Sequence, residues 1–291
     1  MTPLALTMVL LSAVAHATWN FLLKRSNDQD AFVLWLMASI SVLLLPLALV
    51  LGWRYPIVYP GWWFILGTAI LHALYFALLG RSYVHADLSL VYPLARGMGP
   101  ALVPVLGATV LRESIAPTAI AGIIAVVIGV YTVYWWGRLA QIVRDPFKVF
   151  REPGTRYALL TGVVIAVYTV WDKVGVRYVD PFLYMYLMSL GSALLLAPLI
   201  LKRRGMKVMR TEWRYGARDI VIAGLLTFLA YGLVLAALQF SRVSYISPAR
   251  EIGIVISVGL GTLVLKEPFG RGRMVGSALV VSGVGLIAVA G

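Results

Sequence analysis

Few polar residues lie inside the long apolar stretches of this sequence, and their spacing is what could support chemistry. Two pairs are four residues apart, so each occupies one face of a helix, and each has a tryptophan beside it: His16 and Asn20 with Trp19, and Tyr168 and Asp172 with Trp171. Polar groups are costly in a bilayer and usually face a cavity or a partner. We interpret both pairs as facing an internal cavity, although hydrogen bonds to a neighbouring helix would also explain them.

Two arginines each follow a proline within an apolar stretch, Arg96 after Pro93 and Arg250 after Pro248. A proline frees the carbonyl one turn back, and such breaks are tolerated where the backbone lines a cavity. An arginine there could hold a substrate carboxylate with two hydrogen bonds. It could equally bind the freed carbonyls or pair with Glu251, and the symmetry of the two arginines favours this structural role. Glu251 is also a candidate proton site, although an arginine partner would keep it ionised.

His72 and Tyr75 share a face of the third apolar stretch, and Tyr231 is the counterpart of Tyr75 later in the chain. A lone buried histidine is more often structural than a proton carrier. The candidate substrate-binding residues are Trp19, Asn20, His72, Tyr75, Tyr92, Arg96, Tyr168, Trp171, Tyr231 and Arg250. The candidates for proton coupling are His16, Asp172 and Glu251.

Enzyme signatures are missing from the sequence. There is no cysteine, none of the histidines His16, His72 and His85 occurs in a His-Glu-x-x-His motif, and no Gly-x-Ser-x-Gly or Walker motif is present. An intramembrane enzyme is therefore only a remote alternative. We expect no catalytic residue, no metal and no cofactor.

The elements that must position these residues are spanning helices. Apolar residues make up 61% of the 291 residues, against roughly 45–50% in a globular protein. A spanning helix needs about 20 mostly apolar residues. The sequence predicts an all-α membrane protein with ten transmembrane helices, at about 4–23, 31–51, 62–82, 88–111, 117–136, 157–178, 181–201, 219–240, 244–265 and 271–290. The first is interpreted as a retained helix rather than a signal peptide, because it has no basic n-region and no small-residue cleavage site.

The two halves of the sequence repeat each other. Tyr92 to Arg96 matches Ile246 to Arg250 at an offset of 154, and the same offset relates Gly122 to Gly276 and Gly129 to Gly283. We predict a first five-helix repeat at 1–137, a basic linker loop at 138–156 and a second five-helix repeat at 157–291. Because five is odd, the repeats must be inserted in opposite orientations, which is common in secondary transporters. The duplication also allows the protein to function as a monomer.

The net charge of +13 indicates membrane orientation rather than nucleic-acid binding, because the basic residues cluster in loops at 138–156 and 202–218. The odd-numbered loops contain 18 Lys and Arg residues and the even-numbered loops contain 5. The positive-inside rule then predicts cytoplasmic odd loops and periplasmic termini. The expected partners are the lipid bilayer and a small-molecule substrate.

Several short motifs occur in a fixed order along the chain: His16-Ala17-Thr18-Trp19-Asn20 with Leu23-Lys24-Arg25, then Asp87 to Gly97, and the helix ends Arg112-Glu113 and Lys266-Glu267-Pro268. With these motifs the chain resembles, over nearly its whole length, the EamA-like family of the drug/metabolite transporter superfamily. The resemblance implies ten helices in which helices 1, 3, 4, 6, 8 and 9 line a central cavity. It also implies export of amino acids or related metabolites across a bacterial-type inner membrane, with most similarity to aromatic amino acid exporters.

Aromatic residues in both repeats agree with an apolar substrate. We expect Trp19, Tyr75, Trp171 and Tyr231 to face one central space and to form the apolar walls of its substrate site, with alternating access by rocking of the repeats. Other solutes stay open as alternatives. A drug cation would require an uncompensated carboxylate, and a nucleotide sugar or phosphorylated metabolite would require several basic residues.

Overall fold

The computed structural model describes residues 1–85, 88–136, 153–263 and 270–290, and all regular secondary structure in these ranges is α-helical. The helices are α1 (Pro3–Lys24), α2 (Gln29–Leu43), α3 (Leu45–Arg54), α4 (Gly61–His85), α5 (Leu88–Thr109), α6 (Pro117–Trp135), α7 (Pro153–Gly175), α8 (Pro181–Phe240), α9 (Val243–Ala249), α10 (Ile252–Leu263) and α11 (Arg271–Val289). Residues 138–152, most of the predicted linker, lie outside the described residues.

Several helices begin where the sequence provides a suitable first turn. Pro3, Pro117, Pro153 and Pro181 are each the first residue of a helix. A proline is favoured there because the first-turn N–H groups have no partner within the helix. Before α8, the Asp180 carboxylate accepts hydrogen bonds from the amides of residues 182 and 183, at 3.0 and 3.1 Å. Such caps satisfy the free amides and fix the point at which the helix begins.

Two of the predicted spans are broken helices. The span predicted at 31–51 consists of α2 and α3, which meet at an angle of 55°. Pro46, near the beginning of α3, has no amide hydrogen for the preceding turn, and this explains the bend. The described part of the span predicted at 244–265 consists of α9 and α10, and Arg250 and Glu251 lie at the break between them. By contrast, α5 continues through Pro93 without a break.

The basic segment at 202–218, predicted as a loop, is helical. It belongs to α8, which contains the spans predicted at 181–201 and 219–240 and is interrupted only at Gly205, with φ 75° and ψ 161°. Glycine reaches positive φ at little cost, so a single residue can provide this break. The surrounding Lys, Arg and Met residues are good helix formers, so the helix resumes directly after it.

In the described part of the chain, seven segments are candidate membrane spans by length and composition, with α9 and α10 counted as one segment up to Leu260. Among the described residues, seven helices are long and apolar enough to cross a membrane, and there are eight if α2 and α3 together form one span. This number counts the 60-residue α8 once, although α8 contains two of the predicted spans on either side of Gly205. The chain is therefore a multi-pass helical membrane protein, and the count of ten stays a prediction.

The chain forms two compact units. Unit 1 consists of Met1–Leu10, Leu74–Val170 and Phe240–Gly291, and unit 2 consists of Leu11–Ala73 and Trp171–Gln239. Each unit takes segments from both halves of the sequence. The predicted repeat boundaries at 137 and 157 describe sequence similarity, and they stay a prediction.

In unit 1, α6 and α11 pack closely through small residues. A Cβ on Gly122 would lie 2.6 Å from the carbonyl oxygen of Gly283, and a Cβ on Gly129 would lie 2.8 Å from that of Gly276. The helices are therefore antiparallel, and only glycine allows this backbone separation. The buried side chains of Val126, Val130 and Val280 fill the rest of the contact.

In unit 2, α8 packs against α2 and α4. The indole of Trp35 donates to the carbonyl of Met209 at 2.8 Å, and its ring centroid is 4.9 Å from that of Trp213. The hydroxyl of Tyr186 donates to the Ser41 carbonyl at 2.9 Å. These bonds satisfy polar groups that would be costly to leave unpaired in a membrane protein.

Candidate functional site

A buried ion pair is the central feature of unit 1. The Arg96 guanidinium on α5 lies 3.6 Å from the Glu251 carboxylate at the break between α9 and α10, measured from Nη2 to Oε2. The two side chains are only 16% and 8% exposed. Removing two charges from water is costly, so a buried ion pair is weak evidence that its role is only to stabilise the fold. Arg96, one of the two arginines inside the predicted spans, thus pairs with Glu251 in the structure.

The ion pair borders a small cavity of about 10 Å³, which is lined by Arg96, Gly99, Ile165, Tyr168, Thr169, Ser247, Arg250 and Glu251. A space of this size holds about one water molecule. Both inner arginines therefore lie at one cavity, together with Glu251 and one of the predicted aromatic residues.

Aromatic residues continue from this cavity. Tyr168 on α7, which lines the cavity, has its ring centroid 6.1 Å from that of Tyr75 on α4, in an edge-to-face arrangement. Tyr75 also contacts Phe76 at 4.8 Å. A charged pair beside an aromatic cluster suits a ligand with a charged end and an apolar end.

Glu113, between α5 and α6, holds the beginning of α9. Its carboxylate accepts hydrogen bonds from the amides of Val243 and Ser244, at 2.9 and 3.0 Å, and from the Ser244 hydroxyl at 2.6 Å. A carboxylate at a helix N-terminus satisfies free amides and complements the helix dipole. Because α9 ends at Arg250, this cap positions the ion-pair region. In the sequence, Glu113 contributes only to the family resemblance, and the signal for its role was its repetition as Glu267.

In unit 2, the Asp172 side chain on α7 is completely buried. The Tyr184 hydroxyl lies 2.8 Å from its Oδ1, and the Tyr231 hydroxyl lies 2.6 Å from its Oδ2. Both tyrosines belong to α8. Gly175 leaves room for the first of them, because a Cβ there would be 2.7 Å from the Tyr184 ring. The sequence analysis did not identify Tyr184. A buried carboxylate in an apolar span requires hydrogen-bond donors, and this requirement is the signal that could have pointed to a tyrosine.

His72 on α4 belongs to the same cluster. Its ring contacts the Tyr231 ring with centroids 5.5 Å apart, and its charge interacts with that of Asp172. Its Nδ1 lies 3.0 Å from the Thr68 carbonyl oxygen. The Thr68 hydroxyl oxygen lies 3.1 Å from the same nitrogen, so Nδ1 can donate to the carbonyl in one tautomer and accept from the hydroxyl in the other.

Trp171 lies next to Asp172 in the sequence, but its contacts are those of a packing residue. The indole Nε1 donates to the Phe64 carbonyl at 2.9 Å, and the two rings are 4.9 Å apart. Its ring also covers Gly67, where a Cβ would be 2.5 Å from the indole. Trp171 therefore joins α7 to α4.

The polar stripe of α1 makes hydrogen bonds within its own helix. The Trp19 indole donates to Nδ1 of His16 at 3.2 Å, and the Asn20 amide donates to the His16 carbonyl at 2.7 Å. The His16 and Trp19 rings are arranged edge to face. The predicted cavity-facing role of this stripe stays a prediction.

The predicted residues are divided between the two units. The group in unit 1 contains Tyr75, Arg96, Tyr168, Arg250 and Glu251. In unit 2 lie His16, Trp19, Asn20, His72, Trp171, Asp172 and Tyr231. The Tyr92 side chain lies outside the described part of the chain. A single space enclosed by Trp19, Tyr75, Trp171 and Tyr231 stays a prediction.

Comparisons with known proteins also show that the two halves of the chain are related. The model of the EamA-like transporter family matches twice, at residues 3–135 and 153–289. A solved structure titled "Crystal structure of protein" is similar with a TM-score of 0.74 and 17% identity, over 98% of this chain and 96% of that chain. At this identity it shows a shared fold. No curated protein sequence matches. The two family matches cover most of the chain, which therefore belongs to the EamA-like transporter family of the drug/metabolite transporter superfamily and has its two-repeat architecture.

Proposed function

We propose that this protein is a secondary transporter that exports amino acids with aromatic or other large apolar side chains across a bacterial-type inner membrane. The observation that carries the proposal is the Arg96–Glu251 pair at the cavity of unit 1. An α-amino acid has a carboxylate and an ammonium group on adjacent atoms. An arginine beside a glutamate offers one partner for each, and Arg250 on the same cavity offers a second cation.

When the substrate binds, each charge of the Arg96–Glu251 pair would exchange its partner for a charged group of the substrate. This exchange would offset the cost of separating the pair. Separating two buried charges is costly when both are left alone. A zwitterion that inserts between them restores an opposite charge to each. Solutes without both charges cannot do this, so the pair would select for amino acids.

The side chain of the substrate would contact Tyr75 and Tyr168. Aromatic pairs contribute about 0.5–1.5 kcal/mol beyond the burial of their area. This contact favours aromatic and large apolar substrates. A drug cation is less favoured, because Glu251 already has Arg96 as a neighbour.

The mechanism would be alternating access. The cavity is smaller than any amino acid, so substrate would bind only after the ion pair separates. We propose ten spans in two inverted repeats that rock against each other, in a chain that functions as a monomer without catalytic activity. The antiparallel contact of α6 with α11 supports the inversion, because it joins equivalent helices of the two repeats.

Counterflow into liposomes tests the proposal. Purified protein preloaded with unlabelled phenylalanine should accumulate labelled phenylalanine and leucine, and a nucleotide sugar should not compete. Charge-assisted hydrogen bonds contribute about 1.5–3 kcal/mol, so Arg96→Gln should weaken the apparent affinity roughly 10- to 150-fold. Arg177→Gln, at an exposed position, is the control. Unchanged affinity in Arg96→Gln would contradict the proposed site.

A further inference from the structure

The Asp172 cluster contains a hydrogen-bond arrangement that a single proton would switch. The Tyr184 hydroxyl lies 2.8 Å from Asp172 Oδ1 and also 3.1 Å from the Phe64 carbonyl oxygen. A phenol has one hydrogen to donate, and a carbonyl can only accept. Tyr184 can therefore donate to one of these oxygens at a time while Asp172 is ionised.

Protonation of Asp172 allows both contacts to be hydrogen bonds. The carboxylic acid then donates from Oδ1 to the Tyr184 oxygen, and Tyr184 donates to the Phe64 carbonyl. Oδ2 still accepts from Tyr231 at 2.6 Å. When the proton leaves, Tyr184 donates to Asp172 instead, and the Trp171 indole is the side chain that still donates to the Phe64 carbonyl. Both states satisfy the carboxyl group, which is the requirement for a group that gains and loses a proton while buried.

The surroundings of Asp172 do not fix it permanently in one state. Among the described residues, the ionisable groups that face it are His72 from α4 and Tyr184 and Tyr231 from α8. Lys173, the next residue on α7, points its ammonium group at the Leu238 carbonyl. The neighbouring base is therefore a histidine, whose imidazole has a neutral and a charged form, rather than a permanent cation.

We propose that Asp172 is a proton-binding site that is loaded and unloaded during the transport cycle. A proton from water adds to the carboxylate and later returns to water, and nothing is oxidised or reduced. The switch of Tyr184 between Asp172 on α7 and Phe64 on α4 would link proton occupancy to the contact of these helices. The inference rests on the transporter function and is independent of the substrate.

Infrared difference spectroscopy tests the site without a substrate. Full-length protein in liposomes is compared between acidic and alkaline buffer, where a titrating carboxyl group gives a C=O band of its protonated form. Asp172→Asn should remove one such band. Asp180→Asn, which changes the carboxylate that caps α8, should keep that band. If the Asp172→Asn spectrum equals that of the parent, the site does not titrate and the proposal is overturned.

A pair of tyrosine variants tests the switch itself. Tyr184→Phe removes the acceptor of the Asp172 proton and should shift the band. Tyr186→Phe removes a hydroxyl from the same helix that binds the Ser41 carbonyl, and it should leave the band in place. Equal spectra for the two variants would contradict the role of Tyr184.

Proton movement provides the functional readout. Vesicles with an enclosed pH-sensitive dye should report a pH change when phenylalanine crosses through the parent protein, and this change should be lost in Asp172→Asn. Phenylalanine transport without any proton movement in the parent would overturn the coupling. If phenylalanine does not cross at all, the proposed substrate fails, and the infrared result alone decides the proton site.

Discussion

At the residue scale, the cap at the beginning of α9 requires a residue without a side chain at position 107, which is Gly107. This glycine faces the Ser244 hydroxyl and Glu113, so an added Cβ would press directly on Ser244 Oγ and lie 3.0 Å from Glu113 Oε2. The carboxylate that caps α9 reaches its amides only because this space is open.

We expect Gly107→Ala to displace Ser244 and weaken the cap. Overpacking of this kind costs about 1–3 kcal/mol, so the thermal midpoint in detergent should fall and transport should decrease. Gly259→Ala is the control, since a Cβ there meets no atom within 4 Å. A midpoint equal to that of the control would show that Ser244 moves aside without loss.

Trp171 provides a second prediction at this scale. Trp171→Phe keeps most of the packing on Gly67 but loses the hydrogen bond to the Phe64 carbonyl, which should cost about 1 kcal/mol of stability. If the ring also forms a wall of the substrate site, as the sequence predicts, substrate affinity should fall as well. Unchanged affinity at reduced stability would mean that Trp171 only joins the two helices.

At the element scale, the contact between α6 and α11, here called the seam, brings two backbones of unit 1 close together. Gly129→Ala and Gly276→Ala should each destabilise the protein, because a Cβ at either position would meet a backbone oxygen at 2.7 to 2.8 Å. Gly285→Ala on α11 meets no atom within 4 Å and is the matched control. Thermal unfolding of all three variants in detergent measures the effect. Equal midpoints would mean that the seam is looser than this spacing.

The helices were largely predictable from sequence, whereas their breaks were less so. Hydropathy is summed over about 20 residues, so it finds a span but averages over a local bend. Hydropathy therefore predicted α2 and α3 as one span, although the sequence contains Pro46. It also could not show that α5 continues through Pro93 while α9 ends near Pro248. Whether a proline interrupts a helix depends on what binds the freed carbonyls, which is a tertiary property.

The charged residues of the candidate site were predictable from the sequence, whereas their neighbours on other helices were not. Arg96, Arg250 and Glu251 were identified because charge is rare inside apolar spans. That Tyr168 and Thr169 of α7 line the same cavity as these charged residues could not be predicted, because single-sequence spacing relates residues within one helix only. The same limit explains why Tyr184 was missed as the partner of Asp172.

At the scale of the whole molecule, orientation in the membrane follows from the distribution of charge. We expect a reporter fused after Gly291 to be periplasmic and one inserted near Lys207 to be cytoplasmic, because 18 basic residues lie in the odd loops and 5 in the even loops. Alkaline phosphatase and fluorescent protein fusions distinguish the two sides. Opposite signals at both positions would reverse the orientation and leave the helices unchanged.

The seam of unit 1 also has a consequence for how the two halves can diverge. Gly122 touches the sequence counterpart of Gly129, and Gly129 touches the counterpart of Gly122. This reciprocity is the pattern of an isologous interface between two identical subunits. In such a dimer every substitution would enter the interface twice, once from each side. In one fused chain it enters once, so either half can change alone, and a break such as the one at Arg250 can arise in one half while α5 stays continuous.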